Sequence, residues 1–88
     1  MKTITFKYTK KDQSVSERTL LVMVGPSGMY AGIDLSEISP EEGAAFAQEA
    51  EELHLKYISA LQALQAEFDL KHAYRQFLVS GMSEITQI

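Results

Sequence analysis

From Thr3 to Thr9 polar and apolar residues alternate, with Ile4, Phe6 and Tyr8 on one side and Thr3, Thr5, Lys7 and Thr9 on the other. A period of two predicts a half-buried strand. Lys10 to Ser14 is polar and predicts a hairpin loop. Glu17 to Val24 follows as a second strand, with Leu20, Val22 and Val24 on one face and Leu21 and Met23 on the other. A strand that is apolar on both faces belongs in the middle of a sheet or under a cover. Gly25-Pro26-Ser27-Gly28 is a turn signal. Met29 to Leu35 is the third strand, in which Gly32 marks a bulge or a close backbone approach. Three strands and two short loops make an antiparallel meander.

The period then changes. Ser39 suits an N-cap, Pro40 the first helical position, and Glu42 a capping box. Glu41 and Glu42 also suit the positive end of the helix dipole. From Gly43 to Leu70 there is no further Gly or Pro, and Phe46, Ala50, Leu53, Tyr57, Leu61, Leu64 and Phe68 form one apolar stripe. The pattern predicts one continuous helix over about 40–71, roughly 30 residues and ~45 Å long. Short strands span only about 20 Å, so such a helix must overhang the sheet, bend, or meet a partner. Leu55 and Ile58 lie off the stripe, toward the polar side. Ala73 to Val79 returns to strand composition, Ser80-Gly81 bends the chain, and Met82 to Ile88 is a last strand. The predicted fold is a single α+β domain, residues 1–88. Its small, partly closed antiparallel sheet has about five strands, in chain order β-β-β-α-β-β. The helix packs on the sheet through Phe46, Leu53, Tyr57, Leu64 and Phe68.

Eighty-eight residues suit one domain, and the absence of cysteine removes disulfide frameworks and cysteine metal sites. The N-terminal stretch lacks the apolar run of a signal peptide, and the longest apolar run, Leu20 to Val24, is too short for a bilayer. A cytoplasmic protein with no membrane association is expected. The net charge of −4 is unevenly placed. Residues 1–18 hold five basic and two acidic residues, whereas residues 19–88 hold three basic and ten acidic ones. An acidic helix argues against broad binding to a phosphate backbone. The basic first hairpin leaves room for a small anion site.

Catalytic patterns are weak. Gly25-Pro26-Ser27-Gly28-Met29 lacks the last glycine of a nucleophile elbow and joins two strands, not a strand and a helix. Glu51/His54 and Asp69/His72 have acid-x-x-His spacing, but on one continuous helix they lie 18 residues and about 27 Å apart. Glu41, Glu42, Glu51 and Glu52 are carboxylates with no sign of a cleft. Tyr8, Tyr30, Tyr57 and Tyr74 suit core or rim positions better than a stacking platform. No catalytic residue, metal or cofactor is expected.

Several segments carry a resemblance: Ile4-x-Phe6-x-Tyr8, Ser16-x-Arg18-x-Leu20, Gly28-Met29-Tyr30-Ala31-Gly32, and Tyr74-Arg75-Gln76-Phe77 running on to Met82. Their order resembles the WYL domain, a small Sm/SH3-like β-barrel. Tyr30 fits the middle of the name-giving tripeptide, with Met29 where Trp is expected and Ala31 where Leu is. Arg75 and Phe77 fit the Arg-x-Phe strand, and Ser80-Gly81 replaces an Asp-Arg pair. The resemblance implies a barrel with a long helical insertion. It also implies a sensor of a nucleotide or nucleic acid in transcription regulation, using Lys7, Lys10, Arg18, Tyr30 and Arg75.

The expected function is a small non-enzymatic regulatory or inhibitory module, phage- or defence-related, that acts through protein–protein contact. The expected protein-binding helix face is Glu51, Glu52, Leu55, Ile58, Gln62 and Asp69. The excess helix length suggests a homodimer as well.

Overall fold

The computed structural model describes residues 2–88. Its strands are β1 (Thr3–Thr9), β2 (Val15–Val24), β3 (Met29–Asp34), β4 (Tyr74–Leu78) and β5 (Met82–Gln87). Two helices, α1 (Pro40–Glu52) and α2 (Ile58–Glu67), stand between β3 and β4. The strands form one antiparallel sheet in the order β4-β3-β2-β1-β5, so β2 is central as its two apolar faces require.

The sheet order and the connections together demand curvature. Five flat strands at about 4.8 Å spacing would put β4 and β5 about 19 Å apart. The link between them is a single 3-10 turn, Val79–Gly81, whose four Cα steps reach at most about 14 Å even when extended. The sheet therefore curls. Phe77 on β4 packs edge-to-face on Phe6 and Tyr8 of β1, with ring centroids 5.1 and 5.0 Å apart, across two intervening strands. The expected partial closure is not reached. β4 and β5 share no ladder, so each pairs on one side only and the sheet stays open.

Curling gives two cores. The concave face buries Ile4, Phe6, Leu20, Val22, Tyr30 and Phe77. The convex face carries Leu21 and Ile33 against Phe46, Ala50, Leu61, Leu64 and Leu70 from the helical layer. Gly32 is where β2 and β3 approach most closely: a Cβ there would collide with the Leu21 carbonyl, and the register shifts opposite it between Val22 and Val24. Gly43 likewise seats α1, since a Cβ at this position would come within 2.9 Å of the Leu35 side chain.

Helix α1 starts as predicted. Ser39 Oγ accepts from the Glu42 N–H at 3.2 Å, and Pro40 opens the first turn. The single long helix, however, is replaced by two. Leu53 closes α1, His54 takes φ 53°, and the N–H groups of His54 and Leu55 donate back to the carbonyls of Glu51 and Ala50. This pairing is a Schellman motif. Helix α2 ends identically: Asp69 has φ 57°, and the N–H groups of Asp69 and Leu70 donate to Ala66 and Gln65. In each motif the following leucine, Leu55 or Leu70, turns into the convex core. The break has a packing reason. A continuous helix would aim Leu55 at water and project past the sheet, whereas 13-residue α1, ~20 Å long, matches it. Two residues expected in the core are displaced as a result: Leu53 is 53% exposed and Tyr57 76% exposed. Phe46 and Leu64 are buried, and Phe68 packs on Phe46 at 5.8 Å. Among the described residues no helix is long and apolar enough to cross a membrane.

The two helix ends make a prediction of opposite sign to that of a continuous helix. His54→Gly and Asp69→Gly should each raise stability by up to about 1 kcal/mol, because glycine occupies the left-handed region freely. Asp69→Val should lower it by about 1–2 kcal/mol. Urea denaturation reads the difference. Glycine inside an unbroken helix would instead cost about 1 kcal/mol at both positions.

Candidate functional site

The five residues suited to an anion site are not brought together. Lys7 projects from the convex side of β1 and its Nζ meets Glu84 of β5 at 2.9 Å. That contact raises the Lys7 pKa, chiefly through the hydrogen bond to Glu84. Arg18 lies on the concave side, opposite Phe6, with Nη1 3.0 Å from the Asp34 carboxylate. Asp34 is fully buried and also accepts from the N–H and hydroxyl of Ser36, so it anchors the chain as β3 ends. Arg75 Nη2 meets Glu37 at 3.4 Å, and its Nη1 donates to the carbonyls of His72 and Tyr74. Tyr30 is buried near the other end of β3, with Lys2 Nζ 5.7 Å from its ring centroid. Arg18 and Tyr30 are separated by six residue rows, ~20 Å of strand. Lys10 sits at the exposed hairpin tip. In that loop the Ser14 hydroxyl and N–H donate to Asp12 and hold its carboxyl below the usual range. The contribution of that contact is present above the ordinary pKa of 3.8 and is lost as the pH falls through the lowered value.

The six residues of the expected helix face are split by the break between the helices. Glu51 and Glu52 occupy the last turn of α1, and Glu52 accepts from Gln48 at 3.2 Å. Leu55 faces the core, contrary to expectation, because the Schellman turn re-aims it. Ile58 opens α2, Gln62 follows one turn later on the same helix, and Asp69 lies past its far end. The two acid-x-x-His pairs also leave the helix geometry, since His54 and Asp69 sit in the turns and His72 in the 3-10 turn Lys71–Ala73. Among the described residues no group of three or more His, Asp or Glu side chains is placed to hold a metal ion.

The break assembles a different surface. Leu53 and Tyr57 lie exposed in the connection from α1 to α2, and Ile58, the first residue of α2, is 38% exposed. Glu49, Glu51 and Glu52 flank them on α1, and His54 and Lys56 lie in the turn. A groove of about 360 Å³ runs beside this corner, lined by Met23, Glu51, His54, Leu55, Lys56 and Leu61 among others. Helical periodicity alone could not reveal the corner, because it assigns Leu53 and Tyr57 to the core stripe. The signal that could have done so is a repeated local pattern. Ala50-Glu51-Glu52-Leu53-His54-Leu55 and Gln65-Ala66-Glu67-Phe68-Asp69-Leu70 share an acidic residue, an apolar residue, a polar residue able to adopt positive φ, and leucine.

Two further grooves line the convex side. One, of about 490 Å³, lies between α1 and the outer face of β1 and β2, with Thr3, Glu17, Thr19, Gly43, Ala44 and Ala47 on its walls. The other, of about 510 Å³, lies between α2 and the start of β4.

The ion pairs differ in what they hold. Arg18→Ala leaves a fully buried carboxylate without its cation, held only by Ser36, and should cost about 2–3 kcal/mol in denaturant unfolding, whereas Arg75→Ala on the surface should cost under about 1 kcal/mol. No family model, no curated protein and no solved structure matches this chain.

Proposed function

We propose that this chain is a small non-enzymatic binding module, regulatory or inhibitory, that docks a protein partner through the α1–α2 corner. The observation that carries this reading is the exposure of Leu53, Tyr57 and Ile58 within six residues of chain, at 53, 76 and 38%. An aromatic residue and two aliphatic ones in water at a helix junction have no folding role that burial would not serve better. Tyrosine is among the residues enriched at interface hot spots, and an apolar centre with a polar rim is the usual anatomy of an interface. The acidic rim selects a partner with basic groups around an apolar pocket, and it would speed encounter at low salt. Against a nucleotide-sensing role stand three ion pairs, which commit Lys7, Arg18 and Arg75 to carboxylates of the same chain.

The test compares wild type with a Leu53→Asp/Tyr57→Ala double variant, both immobilised and exposed to lysate of the source cell. A partner retained by wild type is then purified and titrated. Tyr57→Ala should weaken its binding at least tenfold, about 1.4 kcal/mol, with an unchanged melting temperature. Equal affinity of the double variant for that partner would sink the proposal. Glu52→Lys should slow association and flatten its dependence on salt, leaving dissociation nearly unaltered.

A further inference from the structure

The sheet has two free edges, and they are built differently. On β5 the pairing with β1 shifts register between Thr5 and Lys7, Glu84 has φ 52°, and its carboxylate is drawn to Lys7. A bulge and a charge of this kind keep an edge from adding another strand. On β4 the register with β3 runs without a shift from Met29↔Leu78 to Ile33↔Tyr74. β4 holds no proline, and its one charged residue, Arg75, is tied to Glu37.

The direction of the β4 main-chain groups follows from one hydrogen bond. The Val79 N–H donates to the Gly28 carbonyl at 3.0 Å. In antiparallel pairs, residues that exchange hydrogen bonds alternate with residues that do not. The register therefore turns the peptide groups of Phe77 and Arg75 toward β3, and those of Tyr74, Gln76 and Leu78 toward the free edge. The Arg75 guanidinium on the Tyr74 carbonyl, at 3.2 Å, agrees with that direction. Gln76 and Leu78 are exposed, and Leu78 keeps 59% of its surface in water.

The ground beside this edge carries little charge beyond Arg75, which is paired with Glu37, and Lys71. Residues 57–66, which include all of α2 except Glu67, hold no Asp, Glu, Lys, Arg or His, and neither do residues 76–83. Ser59, Gln62, Ala63 and Ala66 of α2 line the groove that opens toward Tyr74 of β4, with Lys71 its one charged wall residue.

We infer that this flank is where a second copy of the chain binds, with β4 paired antiparallel to β4 across a two-fold axis at Gln76. Identical copies carrying a net charge of −4 repel wherever their acidic surfaces face, whereas here the charge nearest the axis is Arg75, offset in each copy by its own Glu37. The edge is also self-complementary. A two-fold axis at Gln76 sets that residue against itself, with both N–H and C=O exchanged, and sets Tyr74 against Leu78 of the second copy, where the second lone pair of the Tyr74 carbonyl accepts the Leu78 N–H beside the Arg75 guanidinium. The two Lys71 residues then stand at opposite ends of the joined strands. The small residues of α2 allow the two helices to approach across the axis. The result is one continuous sheet of ten strands, five from each copy.

Light scattering and sedimentation of the full chain, from micromolar to millimolar, test this inference. Wild type should reach twice the 9.8 kDa chain mass and stop there. Gln76→Pro removes an edge N–H that β3 does not use, and Gln76→Lys sets two ammonium groups face to face across the axis. Each should weaken dimerisation at least tenfold while circular dichroism and melting temperature of the monomer stay as in wild type. If the proline variant fails to fold, the lysine variant alone answers the question. A wild type monomeric throughout, a dimer that Gln76→Lys leaves intact, or a mass that grows past the dimer through β4 adding to β5 would each overturn the two-fold pairing. The Leu53→Asp/Tyr57→Ala protein should keep the dimer mass, so failure here and failure of partner docking are separable.

Discussion

The central strand β2 has to be covered on both sides. Leu20 and Val22 point one way, Leu21 and Met23 the other, and every larger feature follows from satisfying both sets. The concave set is covered by the sheet itself, which curls until Phe77 of β4 meets Phe6 and Tyr8 of β1. The convex set is covered by α1 and α2. A chain of 88 residues has too little material for two separate layers above and below a flat sheet. Curling lets one sheet serve as its own second layer, and the short turn from Leu78 to Met82 enforces it.

The helical layer obeys the same economy. A straight helix of the length suggested by the apolar stripe, ~45 Å against a sheet about 20 Å long, would leave roughly half of itself beyond the sheet. Two Schellman turns cut it into pieces that fit, and each turn drives a leucine into the convex core. Neither turn uses glycine. His54 and Asp69 accept the left-handed conformation because short or polar side chains tolerate it best among non-glycine residues. Gln65 supports the second turn from inside, with its Nε2 donating to the Leu70 carbonyl at 3.1 Å. The turns also create surface. Leu53 and Tyr57 leave the core stripe and join Ile58 at an exposed corner, so the device that fits the helices to the sheet also forms the apolar patch to which docking is ascribed.

Charge is distributed to match. Three cations on or beside the sheet are neutralised within the chain, by Glu84, Asp34 and Glu37. The Arg18–Asp34 pair is the one with structural consequence, because Asp34 is fully buried where the chain leaves β3 for the helical layer. Acidic residues are concentrated along α1, while α2 and the edge of β4 are left nearly uncharged. The molecule thus has one flank of low charge, and one corner whose rim is acidic.

Much of this was legible in residue order. Alternation in Thr3 to Thr9, the double-faced run Leu20 to Val24, the turn at Gly25 to Gly28, Gly32 at the β2–β3 approach and the Ser39 cap are local signals, and local sterics and hydrogen bonding decide them. The same residues determined an α+β chain with a central β2. The break at Leu53 to Tyr57 was not legible from periodicity, because a Schellman turn without glycine leaves the apolar spacing intact on both sides. Nor could the spacing of Lys7, Arg18, Tyr30 and Arg75 show that carboxylates distant in sequence would claim three of them, or that Arg18 and Tyr30 would lie at opposite ends of the sheet. Those outcomes depend on which elements pack together, and only the tertiary structure, by covering both faces of β2 at once, decided them.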